Sequence, residues 1–151
     1  MTDPQAQFQE FLDREAIIDT AIRYTWALDE NRWDDLDDVF VADAQTFLMR
    51  AEPEVGIDAI KQRIASSLSP LDDSQHIVSN HQVVLAGDTA THRCYLQAQH
   101  IYHGVEGSPL FIVAGRYVDD MVRTPDGWRI KRRELIGMWT DGNRQVIRAG
   151  R

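Results

Sequence analysis

The apolar residues of this chain change their spacing near Ser74, and that change limits the fold more than any other feature. Before it they recur every three or four positions. Phe8, Phe11, Leu12, Glu15, Ile18, Ile22 and Thr25 trace one stripe, and Ile17, Ala21, Tyr24 and Leu28 the stripe beside it. This spacing predicts a helix from about Gln5 to about Leu28, with an apolar face wide enough to pack on a sheet. Asp3-Pro4 supplies its start, an acid cap followed by proline at the first helical position. Asn31-Arg32 interrupts it. Trp33, Leu36, Val39 and Phe40 suit a short second helix, Ala44 to Met49 a first strand, and Gly56 to Leu68 a third helix ended by Ser69-Pro70.

After Ser74 the period is two. His76 to Leu85, Thr89 to Tyr102, Leu110 to Val122 and Trp128 to Met138 read as four strands. Ala86-Gly87-Asp88, His103 to Ser108 and Pro125-Asp126-Gly127 supply the turns. Connections this short make neighbouring strands antiparallel. Helices first and a curled sheet afterwards are the signature of an α+β fold. One domain over residues 1–151 is expected, with its core at about 8–143 and a tail at 144–151 that frays or packs on another subunit.

Net charge is -8, with 24 acidic against 16 basic side chains. Nucleic acid and anionic membranes need a basic face, so neither is expected as a partner. The single cysteine, Cys94, excludes an intrachain disulfide and fits a reducing compartment. It reads as a small core residue. The first residues lack the basic and apolar regions of a signal peptide, and no apolar run reaches transmembrane length. The expectation is a soluble cytoplasmic protein. No Cys/His cluster has zinc-finger spacing, so no metal ligand is assigned. The run Asp34-Asp35-Leu36-Asp37-Asp38 reads as a solvated helix face.

The chemistry-bearing residues fall in three places. Tyr24 and Asp29 lie five apart at the end of the first helix. Alternation puts His100 on one face with Cys94, Leu96 and Ala98, and Arg93, Tyr95, Gln97 and Gln99 on the other. In the strand before, His76, Val78 and Asn80 share a face, while His81 goes with Ile77 and Ser79. A bulge would reverse that assignment, so His76 and His81 compete for the interior. A histidine in an apolar cavity can take and return a proton near neutral pH. An acid such as Asp29 can set its tautomer, and a phenol such as Tyr24 can hold a carbonyl oxygen as charge grows there. These are the parts for removing a proton beside a carbonyl and expelling a nearby hydroxyl as water.

The chain as a whole resembles a SnoaL-like member of the NTF2-like superfamily. The likeness spans about residues 8–143. It is carried by Ile17 to Asp29 running into Asn31-Arg32-Trp33-Asp34-Asp35-Leu36, and by His76 to His81 with Asn80-His81-Gln82-Val83. Gly115-Arg116-Tyr117 paired with Asp126-Gly127-Trp128-Arg129-Ile130, and Trp139-Thr140-Asp141-Gly142-Asn143, carry it as well. The resemblance implies a cone-shaped, cystatin-like fold: helices packed outside a strongly curved mixed or antiparallel sheet around a deep pocket. Steroid isomerases and polyketide cyclases are relatives, and the most similar catalytic patterns are those of scytalone dehydratase and bile acid 7α-dehydratase. The bile acid enzyme's tyrosine and aspartate on the first helix match Tyr24 and Asp29, and its strand histidine matches His76. Its further carboxylate falls near Ala98, where this chain has no acid. Scytalone dehydratase has a second histidine on that strand, and His100 lies close to the matching place.

The resulting expectation is a cofactor-free dehydratase of a small cyclic or polycyclic hydroxy-ketone, with a small hydrophobic cyclic or aromatic molecule as its partner. Tyr24, Asp29, His76 and His100 carry the chemistry, and His81, Asn80, Ala98, Arg116 and Trp139 are candidates to touch substrate. An isomerase or cyclase, and a non-catalytic ligand-binding or assembly module, are the alternatives. A convex face bearing Tyr95, Gln97, Gln99 and Tyr117 is expected to join copies into a homodimer or homotrimer.

Overall fold

The computed structural model describes residues 3–149. A 26-residue helix, α1 (Pro4–Asp29), opens the chain. Asp3 caps it by accepting the Gln5 N–H at 3.1 Å, with proline following as expected. The helix ends just before Asn31, which takes the left-handed conformation (φ 54°) that asparagine tolerates. A 3-10 turn (Trp33–Asp38), strands β1 (Phe40–Leu48) and β2 (Glu54–Val55), and helix α2 (Ile57–Leu68) follow. The four long strands foreseen from alternation are β3 (Asp73–Ala86), β4 (Thr89–Ile101), β5 (Leu110–Thr124) and β6 (Gly127–Gly142).

The six strands form one open sheet in the order β2-β1-β6-β5-β4-β3. β1 runs parallel to β6 and every other pair is antiparallel, so the sheet is mixed. Helices pack on its curved inner side. Val39 and Phe40 do not join the second helix. Phe40 pairs with Ile130 instead and begins β1, because sheet pairing outweighs the weak helix tendency of an acid-rich segment.

The inner face carries the core. Ile17, Ala21, Tyr24, Ala27 and Leu28 of α1 meet Leu96, Ala98, Tyr117, Met121 and Ile130 of the sheet, and Ile60, Ile64 and Leu68 of α2 close one end. Asp13 fixes the other end of α1. It accepts two bonds from Arg123 (2.7 and 2.8 Å) and one from the Trp128 indole at 3.1 Å. The Arg123 bonds hold its carboxyl down at about 2, against the upward push of burial.

Three expectations need correction. The stripe of Phe8, Phe11, Leu12 and Ile22 faces solvent, and the neighbouring stripe of Ile17, Ala21, Tyr24 and Leu28 is the one that packs. The two stripes adjoin, and spacing alone does not choose between them. Tyr117 is not on the convex face. It stands directly across from Cys94 and is buried against Tyr24. The tail does not fray over its described part: Val146 opens a 3-10 turn (Val146–Arg148) and is buried with Phe111 and Val113. Gly150 and Arg151 lie outside the described residues.

Two bulges decide what the inner face contains. The β3–β4 register slips between Ser79 and Gln82, where Asn80 has φ 56°. Beyond it His81, Val83 and Leu85 turn to the side already occupied by His76 and Val78. The β5–β6 register slips between Asp120 and Met121, opposite Lys131, and brings Arg133 inward behind Ile130.

Candidate active site

Asp29 is the last residue of α1. A carboxylate there works against the helix dipole, at a cost of about 0.3–1 kcal/mol. Donors from β3 offset it. One oxygen accepts the His76 backbone N–H at 2.8 Å; the other lies 2.6 Å from His76 Nδ1 and accepts Ser74 Oγ–H at 3.2 Å. With Nδ1–H donated to Asp29, His76 keeps its lone pair on Nε2. The His76 side chain is 5% exposed and its partner 18%. The pair therefore sits at the edge of the interior and out of bulk water.

His76 lines a cavity of about 350 Å³. That volume lies within the range of small-ligand pockets. Its walls are mainly apolar, including Leu28, Ile64, Leu96, Ala98, Val113 and Leu135, and Tyr24, Tyr117 and His100 add polar groups. Arg50 and Arg63 lie on the α2 side, both within 4.0 Å of Glu54.

His100 faces His76 edge-on, with ring centroids 5.8 Å apart. Its Nδ1–H donates to the Phe111 carbonyl at 3.3 Å. Burial, then the nearby His76, lowers its pKa to about 4. His100 is thus a neutral imidazole at physiological pH, able to accept or donate a hydrogen bond but not to supply a proton from its charged form. Its depressed value also links it to stability. The folded chain resists protonating it, so stability is full above about 6.5, the ordinary histidine value, and falls as pH drops from there toward about 4.

Tyr24 is 2% exposed, and its ring meets Tyr117 edge-on at 5.7 Å. The Arg133 guanidinium lies over both rings, 4.3 Å from Tyr24 and 4.1 Å from Tyr117. Burial raises the Tyr24 pKa even though Arg133 opposes it, and Tyr117 is raised further. Both phenols stay protonated. Arg133 in turn makes two bonds to Asp119 (2.7 and 2.8 Å), and Asp119 accepts His92 Nδ1–H at 2.8 Å. Burial pushes the Asp119 carboxyl up, but Arg133 and the His92 bond outweigh it and hold it low.

Of the residues singled out from the sequence, the fold brings Tyr24, His76, Ala98 and His100 to one cavity, with Asp29 behind His76. The competition between His76 and His81 ends with both turned inward, but at different levels: His81 bonds His92 and is absent from the cavity wall. Asn80 and Arg116 border a small hollow on the outer face, and Trp139 is half exposed on that same side. Those three do not line the main cavity. Tyr117, Arg133 and Asp119 were not foreseen. Arg133 is the third of three consecutive basic residues, and only the bulge distinguishes it from its neighbours.

A family model described as "SnoaL-like domain" matches residues 9–134. An uncharacterized protein of Mycobacterium tuberculosis (strain H37Rv) is 38% identical over 128 residues, covering 82% of this chain and 84% of its own. Among solved structures, a provisionally assigned scytalone dehydratase from Novosphingobium aromaticivorans superposes with a TM-score of 0.82 at 25% identity, covering 91% of each chain. An NTF2-like protein with a cystatin-like fold from the same species gives 0.73 at 28% identity, over 97% of this chain and 96% of its own.

Proposed function

The chain belongs to the SnoaL-like domain family, within the NTF2-like superfamily, and we propose that it is a cofactor-free lyase that dehydrates a small cyclic or polycyclic hydroxy-ketone. The observation that carries this reading is the Asp29–His76 pair, 2.6 Å apart, with its imidazole on the wall of a largely apolar cavity that also holds a protonated phenol. His76 Nε2 takes the proton on the carbon beside the substrate carbonyl. The electron pair moves into an enolate, whose oxygen the Tyr24 hydroxyl stabilises as charge develops. The carbon–oxygen bond of the β-hydroxyl then breaks, His76 returns its proton to that oxygen, and water leaves. Asp29 holds the ring in the required tautomer and stabilises the imidazolium between the two steps. His100, being neutral, positions the departing hydroxyl by a hydrogen bond. The neighbouring fold from N. aromaticivorans assigned as a scytalone dehydratase supports the same reaction class.

The experiment is a screen of hydroxy-ketones by mass spectrometry. A product lighter by one water supports the lyase. A product of unchanged mass moves the assignment to an isomerase or cyclase, a reading favoured by the fact that a single base and one neutral histidine also suffice for an enolisation that keeps the hydroxyl.

Among the described residues no helix is long and apolar enough to cross a membrane. With a lone buried thiol at Cys94, we place the protein in the reducing cytoplasm. We also propose that copies associate, as a dimer or trimer, through the outer face of the sheet. Ile77, Tyr95, Met138 and Trp139 are each about half exposed there, and an apolar patch of this kind is typical of an interface. Light scattering at micromolar concentration is expected to give more than one chain per particle, and Trp139→Asp to shift it toward the monomer. A wild-type monomer would sink this part.

A further inference from the structure

The bulge at Asn80 places His81 beside two side chains of β4 that no step above uses. Its Nδ1 is 3.0 Å from His92 Nε2, and the ligand atoms of His81, His92 and Cys94 all lie within 4.8 Å of one another. We infer that His81, His92 and Cys94 form a binding site for a zinc-class divalent cation, one layer beneath the floor of the main cavity.

Three features of the arrangement support this. The donors are two imidazoles and a thiol, a borderline-soft set suited to zinc and its neighbours, not to magnesium or calcium. Their spacing is close to what coordination demands. Metal bonds of about 2.0–2.1 Å to nitrogen and 2.3 Å to sulfur need only small side-chain shifts from the observed distances. The outer layer is also complete. A histidine ligand ordinarily donates its second N–H to a carboxylate that is itself held, and His92 donates Nδ1–H to Asp119 at 2.8 Å, while Arg133 fixes that carboxylate with two bonds. This leaves the His92 Nε2 lone pair facing His81. A plain hydrogen-bonded pair would require neither a carboxylate behind His92 nor a thiol beside it.

Binding balances simply. The proton on His81 Nδ1 moves to Nε2, freeing the nitrogen that faces His92. Cys94 releases its thiol proton to solvent and binds as thiolate. Cys94 is buried, so the cation takes the place of the thiol proton inside the core. Arg133 adds unfavourable charge nearby, and its two hydrogen bonds to the Asp119 carboxylate offset it. The site stands on geometry separate from the Asp29–His76 pair and holds whichever reaction the cavity performs.

The test uses the whole protein, stripped by a chelator and titrated with cobalt(II) chloride alone. We expect a saturable signal near one equivalent, with a thiolate-to-cobalt charge-transfer band and the visible bands of a tetrahedral site, displaced by zinc chloride. Cys94→Ser should abolish the charge-transfer band. His81→Ala, at a half-buried position, should weaken cobalt binding by more than the ~10–100-fold typical of losing an outer-layer partner. His103→Ala, which removes an exposed histidine bonded to Asp72, should leave the signal intact. Circular dichroism checks that each variant is folded. Absence of the charge-transfer band in folded wild type would overturn the site, as would its persistence in Cys94→Ser or an unchanged affinity in folded His81→Ala.

Discussion

Replacing His76 with alanine is expected to lower kcat by about 100- to 10,000-fold while leaving the fold in place. The imidazole lines a cavity wall, its removal adds space to an existing hollow, and the Asp29 carboxylate keeps its bonds from Ser74 Oγ–H and the backbone N–H of position 76. Asp29→Asn keeps the side chain's size and loses its charge. It should lower kcat by a comparable amount, because the amide can present its NH₂ to Nδ1 and reverse the tautomer. The two groups act as one unit, so the double variant should lose little more than either single one. Additive losses, or wild-type turnover in His76→Ala, would refute the assignment. Because His100 stays neutral down to about 4, the pH profile above about 5 should carry no inflection from it. An inflection there that vanishes in His100→Gln would contradict its neutral role.

The second large effect is on stability. Asp119→Ala is expected to cost about 3–5 kcal/mol, read as a fall in the urea midpoint. Arg133 is 0% exposed, and its Nη1 has no hydrogen-bond partner among the described residues. Asp119 supplies its two short hydrogen bonds and a full opposite charge. Without that carboxylate the guanidinium would be a buried cation facing two aromatic rings, which supply much less. The paired change Asp119→Leu with Arg133→Met should cost less than Asp119→Ala alone, because it removes both charges at once. A loss below about 1 kcal/mol for Asp119→Ala would mean that water reaches the guanidinium.

Much of this architecture could be read from the order of residues because its signals are local. A period of two over ten or more positions specifies a strand whatever it pairs with, and Asp3-Pro4 specifies a helix start by its own chemistry. His100 was legible from the alternation of its strand and Tyr24 and Asp29 as a pair at one helix end, while His76 was one of two open choices. What escaped was set by irregularity and by distance. Parity counted from Trp128 puts Arg132 inward; the bulge substitutes Arg133. Parity counted from His76 puts His81 outward, and the bulge at Asn80 reverses it. The parallel pairing of β1 with β6 joins segments some 80–90 residues apart, and no short-range signal announces it. Which apolar stripe of α1 packs was also undecidable, since both satisfy the same spacing.

The extra residue at the β3 bulge has an evolutionary corollary. Elsewhere in a protein, losing one amino acid from a surface loop is often harmless. Deleting Gln82, just past the bulge, would instead swap inside for outside along the rest of its strand: Val83 and Leu85 would be thrown into water and Val84 drawn in, while His76 and His81, upstream, stayed where they are. Descendants of this chain can vary the bases and walls of the main cavity one substitution at a time, but the part of β3 beyond Asn80 must keep its residue count.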